Sequence, residues 1–353
     1  MSCNFGEKVK ITIFGQSHSE AIGVVIDGLP AGKRINMDEV LEFMSRRAPG
    51  KNKFSTQRKE ADMPEILSGL VDGVTCGAPL CAVIRNGDMR SKDYGNLRNV
   101  PRPAHSDFAA FFKHNGFNDI RGGGNFSGRM TAPLCFAGAV CMQYLNDKGI
   151  EIGAHIERIA GVSDMRYDPV NVDFADVSKK EFPVIDDSSG EKMRKKIEEA
   201  RLSCDSVGGV IECAIKGLPV GLGEPMFDGV ENVISCAVFA VPAVKGIEFG
   251  SGFAGSDMLG SENNDAFTVC DGKFATLTNN HGGILGGITS SMPVVFRVAM
   301  KPTPSIGKEQ KSVNLLTGEE ENLVINGRHD PCVVPRAVPC IEAATAVAIM
   351  NLI

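Results

Sequence analysis

The chain has no tryptophan and only three tyrosines, and aromatics make up 6% of its residues. Platforms for single-stranded nucleic acid need exposed aromatics beside a basic groove. The formal net charge here is −6, so no general affinity for nucleic acid or for an anionic membrane surface is expected. Among the eleven cysteines there is no C-x-x-C pair, and their number is odd. That pattern offers neither a zinc spacing nor a disulfide framework, and no metal site is predicted. Residues 1–12 (MSCNFGEKVKIT) lack the apolar core of a secretion signal. No run reaches the ~18 uninterrupted apolar residues of a membrane span. The expectation is a reduced, cytoplasmic chain whose cysteines mostly fill space as small hydrophobes.

What is present is glycine, forty residues of it, in a chain that repeats itself. Residues 26–32 read IDGLPAG and residues 215–221 read IKGLPVG; GVTCGAPLC (73–81) is echoed by GITSSMPVV (287–295). The spacing Arg121, Arg129, Ala139, Leu145 returns as Arg328, Arg336, Ala346, Leu352. Three matches in one order predict two equivalent halves, about 8–148 and 204–353, joined by a segment 149–203 within one domain spanning 1–353. In each half a β-rich stretch (22–28 or 207–216) stops at Gly-Leu-Pro, since proline cannot continue a central ladder. A helix follows, opened by Asp38 in one half and by Asp228 or Gly229 in the other. Apolar runs, APLCAVIRN and MPVVFRVAM, predict buried strands. Each half closes with a helix of small residues, TAPLCFAGAVCMQYL or PCIEAATAVAIMNLI. The segment between them predicts a strand, EIGAHIERIAGV, and a charged helix begun by Ser188 or Ser189. Small-residue helices pack closely, which predicts an α+β fold with a helical layer covered by sheets and a site at the seam of the halves.

Residues 46–59 (RRAPGKNKFSTQRK) hold six Lys or Arg and no acid, and a second basic stretch runs from 85 to 102. These are either solvated loops or an electropositive wall for an anion. Residues 121–130 (RGGGNFSGRM) bear on the choice. Three glycines permit close backbone approach and Arg121 and Arg129 bracket them, yet neither the G-x-x-x-x-G-K-[ST] nor the G-x-G-x-x-G spacing is present. Together with Lys301 these arginines would hold a polyanion, because the guanidinium fork binds phosphate or carboxylate oxygens bidentately. His18 in FGQSHSEA and His105 before SDFAAFFKHNGF titrate near ~6.5 when unperturbed, and each is a candidate for proton transfer or for a structural hydrogen bond. Phe108, Phe111 and Phe112 are expected on the apolar face of the helix after His105. His281 in TNNHGGILGGI is expected on a glycine loop that passes a ligand. Asp330 in GRHDP is either part of an Asp-Pro turn or an acid placed where the sister half has glycine. The residues alone therefore indicate an enzyme acting on a phosphorylated or polycarboxylate metabolite with acid–base help from histidine.

FGQSHSEAIGVVIDGLPAG, RRAPG followed by S-T-x-R-x-E-x-D (55–62), RPAHSD, RGGG, NNHGGILGGI, KPTPS and GRHDPC, in this order, resemble the chorismate synthase family from about residue 8 to the C-terminus. The resemblance implies that 5-enolpyruvylshikimate 3-phosphate loses phosphate and a ring hydrogen in an anti-1,4-elimination giving chorismate. Reduced FMN is required although there is no net redox change. It also implies internally duplicated β/α units, a helical layer sandwiched between antiparallel sheets, and a homotetramer. Reducing equivalents would come from NADPH or from an outside flavin reductase, and the lack of long insertions favours the latter.

By position, His18 resembles the histidine near the departing phosphate, His105 the one that protonates the reduced flavin, and Asp330 the acid beside flavin N5. Substrate contacts are implied for Arg46, Arg102, Arg129 and Arg336. Flavin contacts are implied for Arg47, Lys53, Asn125, Phe126, Ser127, Pro242, Ala243, Gly286 and Arg328, and for the run Lys301, Pro302, Thr303, Pro304 and Ser305. The family usually shows RGGGRSSARET, and here Asn125, Phe126, Gly128 and Met130 interrupt it. RPGHAD reads RPAHSD, and the loop arginine after Pro-Gly is Lys53. The proposed acid–base residues are unchanged, which implies retained activity with altered flavin affinity. A non-catalytic flavin-binding relative or a polyanion-binding structural protein would need the cations but not His18, His105 and Asp330 together.

Overall fold

The computed structural model of the chain describes residues 3–50, 62–87, 98–174, 177–270, 272–325 and 330–353. Lys53, Arg328 and most of both basic stretches lie outside the described residues. Two five-stranded antiparallel sheets enclose a layer of helices. The first consists of β1 (Asn4–Phe5), β2 (Lys10–Gly15), β3 (Ala21–Asp27), β4 (Pro64–Ser68) and β5 (Leu80–Arg85), in the order β1-β2-β3-β5-β4. The second consists of β6 (Glu151–Ile159), β7 (Val162–Ser163), β8 (Gly209–Lys216), β9 (Val244–Phe249) and β10 (Val294–Met300), in the order β7-β6-β8-β10-β9. Strand periodicity explains the inner faces: Ile22, Val24 and Ile26 of β3, and Ile211, Cys213 and Ile215 of β8, are fully buried at every second position.

The two orders superimpose when β6 is set against β2, β8 against β3, β10 against β5 and β9 against β4. β6, which lies in the segment 149–203 between the two repeats, thus holds in the second sheet the place that β2 holds in the first. The Gly-Leu-Pro turns correspond as well. Gly28 (φ 86°) and Gly217 (φ 85°) each leave a strand in the left-handed region. A Cβ on either would meet a backbone carbonyl, Lys8 O at 2.1 Å or Gly149 O at 2.0 Å, so only glycine fits.

The helices are α1 (Met37–Arg47), α2 (Asp107–Lys113), α3 (Thr131–Asn146), α4 (Asp187–Leu202), α5 (Val230–Phe239), the single turn α6 (Gly260–Asn263) and α7 (Val334–Met350). α3 and α7 are buried on almost every side and pack against each other, α3 beneath β3 and α7 beneath β6 and β8. Helices apolar all round belong in the centre. They pack tightly at Gly138, where a Cβ would stand 2.3 Å from Ala343 Cα. α1 packs on both and α5 on α7.

Helix starts differ from expectation at two places. Asn36, not Asp38, caps α1, accepting from the N–H groups of Asp38 and Glu39. Asp186, not Ser188 or Ser189, caps α4 by accepting from the N–H groups of both serines. A capping oxygen must stand outside the helix to meet donors two and three residues ahead. α5 opens at Gly229 as expected. In α2, Phe108 and Phe112 are exposed, because a helix of two turns covers little core. Among the described residues no helix is long and apolar enough to cross a membrane.

Candidate active site

A cavity of about 890 Å³ opens where α1 ends, α7 begins and the glycine stretch 121–126 passes between them. This is near the top of the ~300–1,000 Å³ typical of small-molecule sites. Both halves of the chain contribute to its wall. Among the described residues six cations line it, Arg47, Arg102, Arg129, Lys245, Lys301 and Arg336. Three carboxylates are paired with them: Asp62, Asp107 and Asp330. An acidic protein thus keeps a surplus of positive charge in this cavity.

His105 is held at the start of α2. Its Nδ1 lies 2.7 Å from Asp107 Oδ1 and 3.1 Å from the Arg102 guanidinium. Arg102 in turn grips Asp107 with two bonds, Nε to Oδ2 at 2.7 Å and NH2 to Oδ1 at 2.8 Å, and donates to Ser305 Oγ at 3.0 Å. Nδ1 therefore faces an acceptor and a donor at once, so the ring is satisfied whether or not that nitrogen carries a proton. Burial, Arg102 and Lys301 draw the imidazole below its ordinary value, with Asp107 opposing them. Against burial, hydrogen bonds from Arg102 and His105 keep the Asp107 carboxyl well below the usual carboxylate range. Gly123, at φ 83°, passes close to the imidazole; a Cβ there would lie 3.4 Å from Nε2.

A second cluster sits at the end of α1. Buried Asp62 bridges the guanidinium groups of Arg47 and Arg129, one on each carboxylate oxygen. Arg47 Nε donates to Thr131 Oγ1 at 3.1 Å, and Arg129 Nε to Asn86 Oδ1 at 3.0 Å. Despite burial, the two arginines hold the Asp62 carboxyl low. On the far wall Arg336 donates to Asp330 Oδ2 at 2.5 Å and to the carbonyl of Arg47 at 3.0 Å, linking the clusters. Lys301 Nζ donates to the Ala104 carbonyl, and its backbone N–H donates to Ala243 O at 2.9 Å.

His18 is buried one residue behind the wall. Gly122 lines the cavity, and a Cβ on it would stand 2.6 Å from His18 Cε1. Ser17 N–H donates to Gly124 O at 3.1 Å, so the FGQSH and RGGG segments are locked together.

Most residues expected at a site therefore converge. Arg47, Arg102, His105, Asn125, Phe126, Ser127, Arg129, Pro242, Ala243, Lys301, Thr303, Pro304, Ser305, Asp330 and Arg336 all line the cavity, and His18 backs it. Pro302 lies within the same segment without facing in. Arg46 is turned away: it makes a bidentate pair with buried Glu342 at 2.6 and 2.9 Å, and Glu342 also accepts from the N–H of Ala154 in β6. Adjacent helical residues point about 100° apart, so only one of the arginine pair can enter. Gly286 turns a hairpin between Ile284–Leu285 and Ile288–Thr289 and lines no part of the cavity. His281 is engaged on both nitrogens, by Asp265 at 2.6 Å and Ser290 at 2.9 Å, and steadies its own loop. Lys245 and Asp62 were missed. Asp62 is the last residue of the quoted 55–62 phrase, and nothing in the sequence says that it bridges two arginines.

The family model described as chorismate synthase matches residues 9–353. The chain belongs to the chorismate synthase family. A chorismate synthase of Lancefieldella parvula is 45% identical over 365 residues, covering 99% of this chain and 96% of that one. Those of Dehalococcoides mccartyi and Korarchaeum cryptofilum are 45% and 44% identical, covering 100% and 98% of this chain and 96% of each relative. A solved structure titled "Crystal Structure of Chorismate Synthase" superimposes with a TM-score of 0.76 at 25% identity, covering 99% of this chain and 92% of that one. Membership makes the chain a lyase of aromatic amino acid biosynthesis that depends on reduced FMN.

The residues present fit that cofactor. The phosphate of FMN and the phosphate and carboxylates of a chorismate synthase substrate are anions, and the surplus of cations meets them. Positive φ at Gly122, Gly123 and Gly124 turns backbone, not side chain, toward the ligand space.

Proposed function

We propose that this cavity carries out the chorismate synthase elimination with His18, His105 and Asp330 as its proton-handling groups. The observation that carries the reading is His105 poised between Asp107 and Arg102 on the rim of a cavity with six cations. Reduced FMN, when bound, supplies electron density to the ring as phosphate departs. Protonated His18 neutralises the leaving phosphate from behind Gly122. His105 holds the proton that keeps the flavin in its reactive protonation state. Asp330, oriented by Arg336, assists removal of the ring hydrogen. Arg129, Arg336 and Arg102 fix substrate anions, and Arg47, Lys301 and Ser127 serve the flavin side together with the 242–243 and 301–305 segments.

The same reading includes a cytoplasmic homotetramer in which the two sheet-and-helix halves arose by duplication. Exposed Phe253, Phe267, Phe274 and Leu277 support subunit contacts, since apolar surface of this kind is rarely left uncovered. Flavin reduction is assigned to an outside reductase.

Anaerobic chorismate formation with photoreduced FMN, repeated with oxidised FMN plus NADPH, tests the reading. Turnover in the first arm alone is expected. His18→Ala and His105→Ala should each lower it by roughly 10²-fold or more, and near-wild-type turnover in either variant removes that histidine from the mechanism.

A further inference from the structure

The central helices bring two thiols together beside the cavity, Cys340 on its wall and Cys135 behind it. Cys135 Sγ lies 3.8 Å from Cys340 Sγ, the residues are 0% and 3% exposed, and Cys340 faces the cavity. Each stands three residues before the point where Gly138 meets Ala343, so the helix backbones are close at this level too. Cys340 is one turn beyond Arg336, to whose carbonyl its thiol donates at 3.3 Å. Cys135 is one turn beyond Thr131, the hydroxyl that receives Arg47. Nothing in the elimination uses either sulfur.

We propose that Cys135 and Cys340 are an oxidisable dithiol, a modification site for hydroperoxides whose disulfide alters the cavity wall. The Cys340 thiolate attacks a peroxide oxygen: an S–O bond forms, the O–O bond breaks, and hydroxide leaves. Cys135 then attacks the sulfenic sulfur, an S–S bond forms, and the hydroxyl departs as water with the Cys135 proton. The balance is two thiols and one hydrogen peroxide to one disulfide and two waters. The order follows from the surroundings. Cys340 faces the cavity, and the hydrogen bond from Cys135, with Arg47 and Arg336 nearby, lowers its thiol to about 7 against burial. Burial pushes Cys141 and Cys332 up to about 12, which makes them buried but unreactive controls. Closing a 3.8 Å contact to a bond of about 2.05 Å moves the helix turns that carry Thr131 and Arg336. The thiol bond to the Arg336 carbonyl is lost as well. Formation of the disulfide rests on the dithiol geometry, and its effect on the cavity wall rests on the reading that the cavity holds FMN.

The test is peptide mass spectrometry of the folded full-length protein after graded hydrogen peroxide, without reductant. A Cys135–Cys340 cross-link, lighter by two hydrogens and reversed by dithiothreitol, is expected ahead of any change at Cys141 or Cys332. In Cys135→Ala the cross-link disappears and a sulfenic acid is trapped at Cys340. FMN binding by equilibrium dialysis should weaken at least about tenfold in the cross-linked form, within the usual range of coupling between sites. Wild type needs no substitution and decides the matter alone. Oxidation confined to exposed Cys3, Cys76, Cys204, Cys236 or Cys270, or a cross-link that leaves FMN affinity unchanged, overturns the proposal.

Discussion

A Cβ added to Gly122 would stand 2.6 Å from His18 Cε1 and 2.5 Å from Ser17 Oγ, at a residue whose φ is 58°. The glycine is required twice, for its left-handed backbone and for the room it leaves the imidazole. Gly122→Ala should cost about 1–2 kcal/mol in backbone conformation. It should also displace His18 from its place behind the cavity wall. Turnover is expected to fall by roughly 10²-fold while circular dichroism stays native. Unchanged turnover in a folded variant would show that the packing of His18 on Gly122 has no part in the chemistry.

In the proposed mechanism Asp107 acts only through His105, its neighbour at 2.7 Å. Its carboxylate favours protonated His105, whereas burial and Arg102 disfavour it. Asp107→Asn removes the favouring charge, so the imidazole loses its proton at lower pH than in wild type. The limb of the pH–rate profile that belongs to His105 should move toward acid by about one pH unit or more, the size of effect an adjacent opposite charge produces. A profile that merely drops in height without moving would assign Asp107 a structural role.

Regular elements were legible because their signals are local. The expected strands 22–28 and 207–216 appear as Ala21–Asp27 and Gly209–Lys216, where apolar periodicity and a proline stop agree. Contacts that the third dimension decides were not legible. Arg46 and Arg47 are neighbours in sequence, yet one meets Glu342 and the other meets Asp62. Asp62 joins residues from α1 and the segment before α3, a meeting with no trace in spacing. β6 was recognised as a strand, but its equivalence to β2 is visible only in the order of the sheets.

A buried cluster away from the cavity gives a pH-dependent contribution to stability. His155 is fully buried in β6, with Nε2 3.0 Å from Glu212 and Nδ1 3.5 Å from Asp164. Burial lowers its proton affinity, but the two carboxylates more than offset this and the folded-state value is raised. A raised value stabilises the fold fully below the unfolded value of ~6.5, and the contribution is lost as pH rises through the folded value. His155→Gln should therefore lower the urea midpoint more at pH 5.5 than at pH 9. Equal losses at both pH values would mean that the ring contributes packing alone.

Asn125 lies on the cavity wall, and among the described residues its side-chain amide donates only a 3.7 Å contact to Cys3 Sγ. This is where the glycine stretch departs from the RGGGRSS pattern of the chorismate synthase family. Asn125→Arg adds a further cation to the wall without touching the His105 or Asp62 clusters. One charge-assisted hydrogen bond to a phosphate contributes about 1.5–3 kcal/mol. The variant should therefore bind reduced FMN roughly ten- to a hundredfold more tightly in an anaerobic titration. The gain should shrink as salt rises, since the added charge is partly exposed. Affinity equal to wild type at low salt would mean that position 125 lies beyond reach of the flavin phosphate.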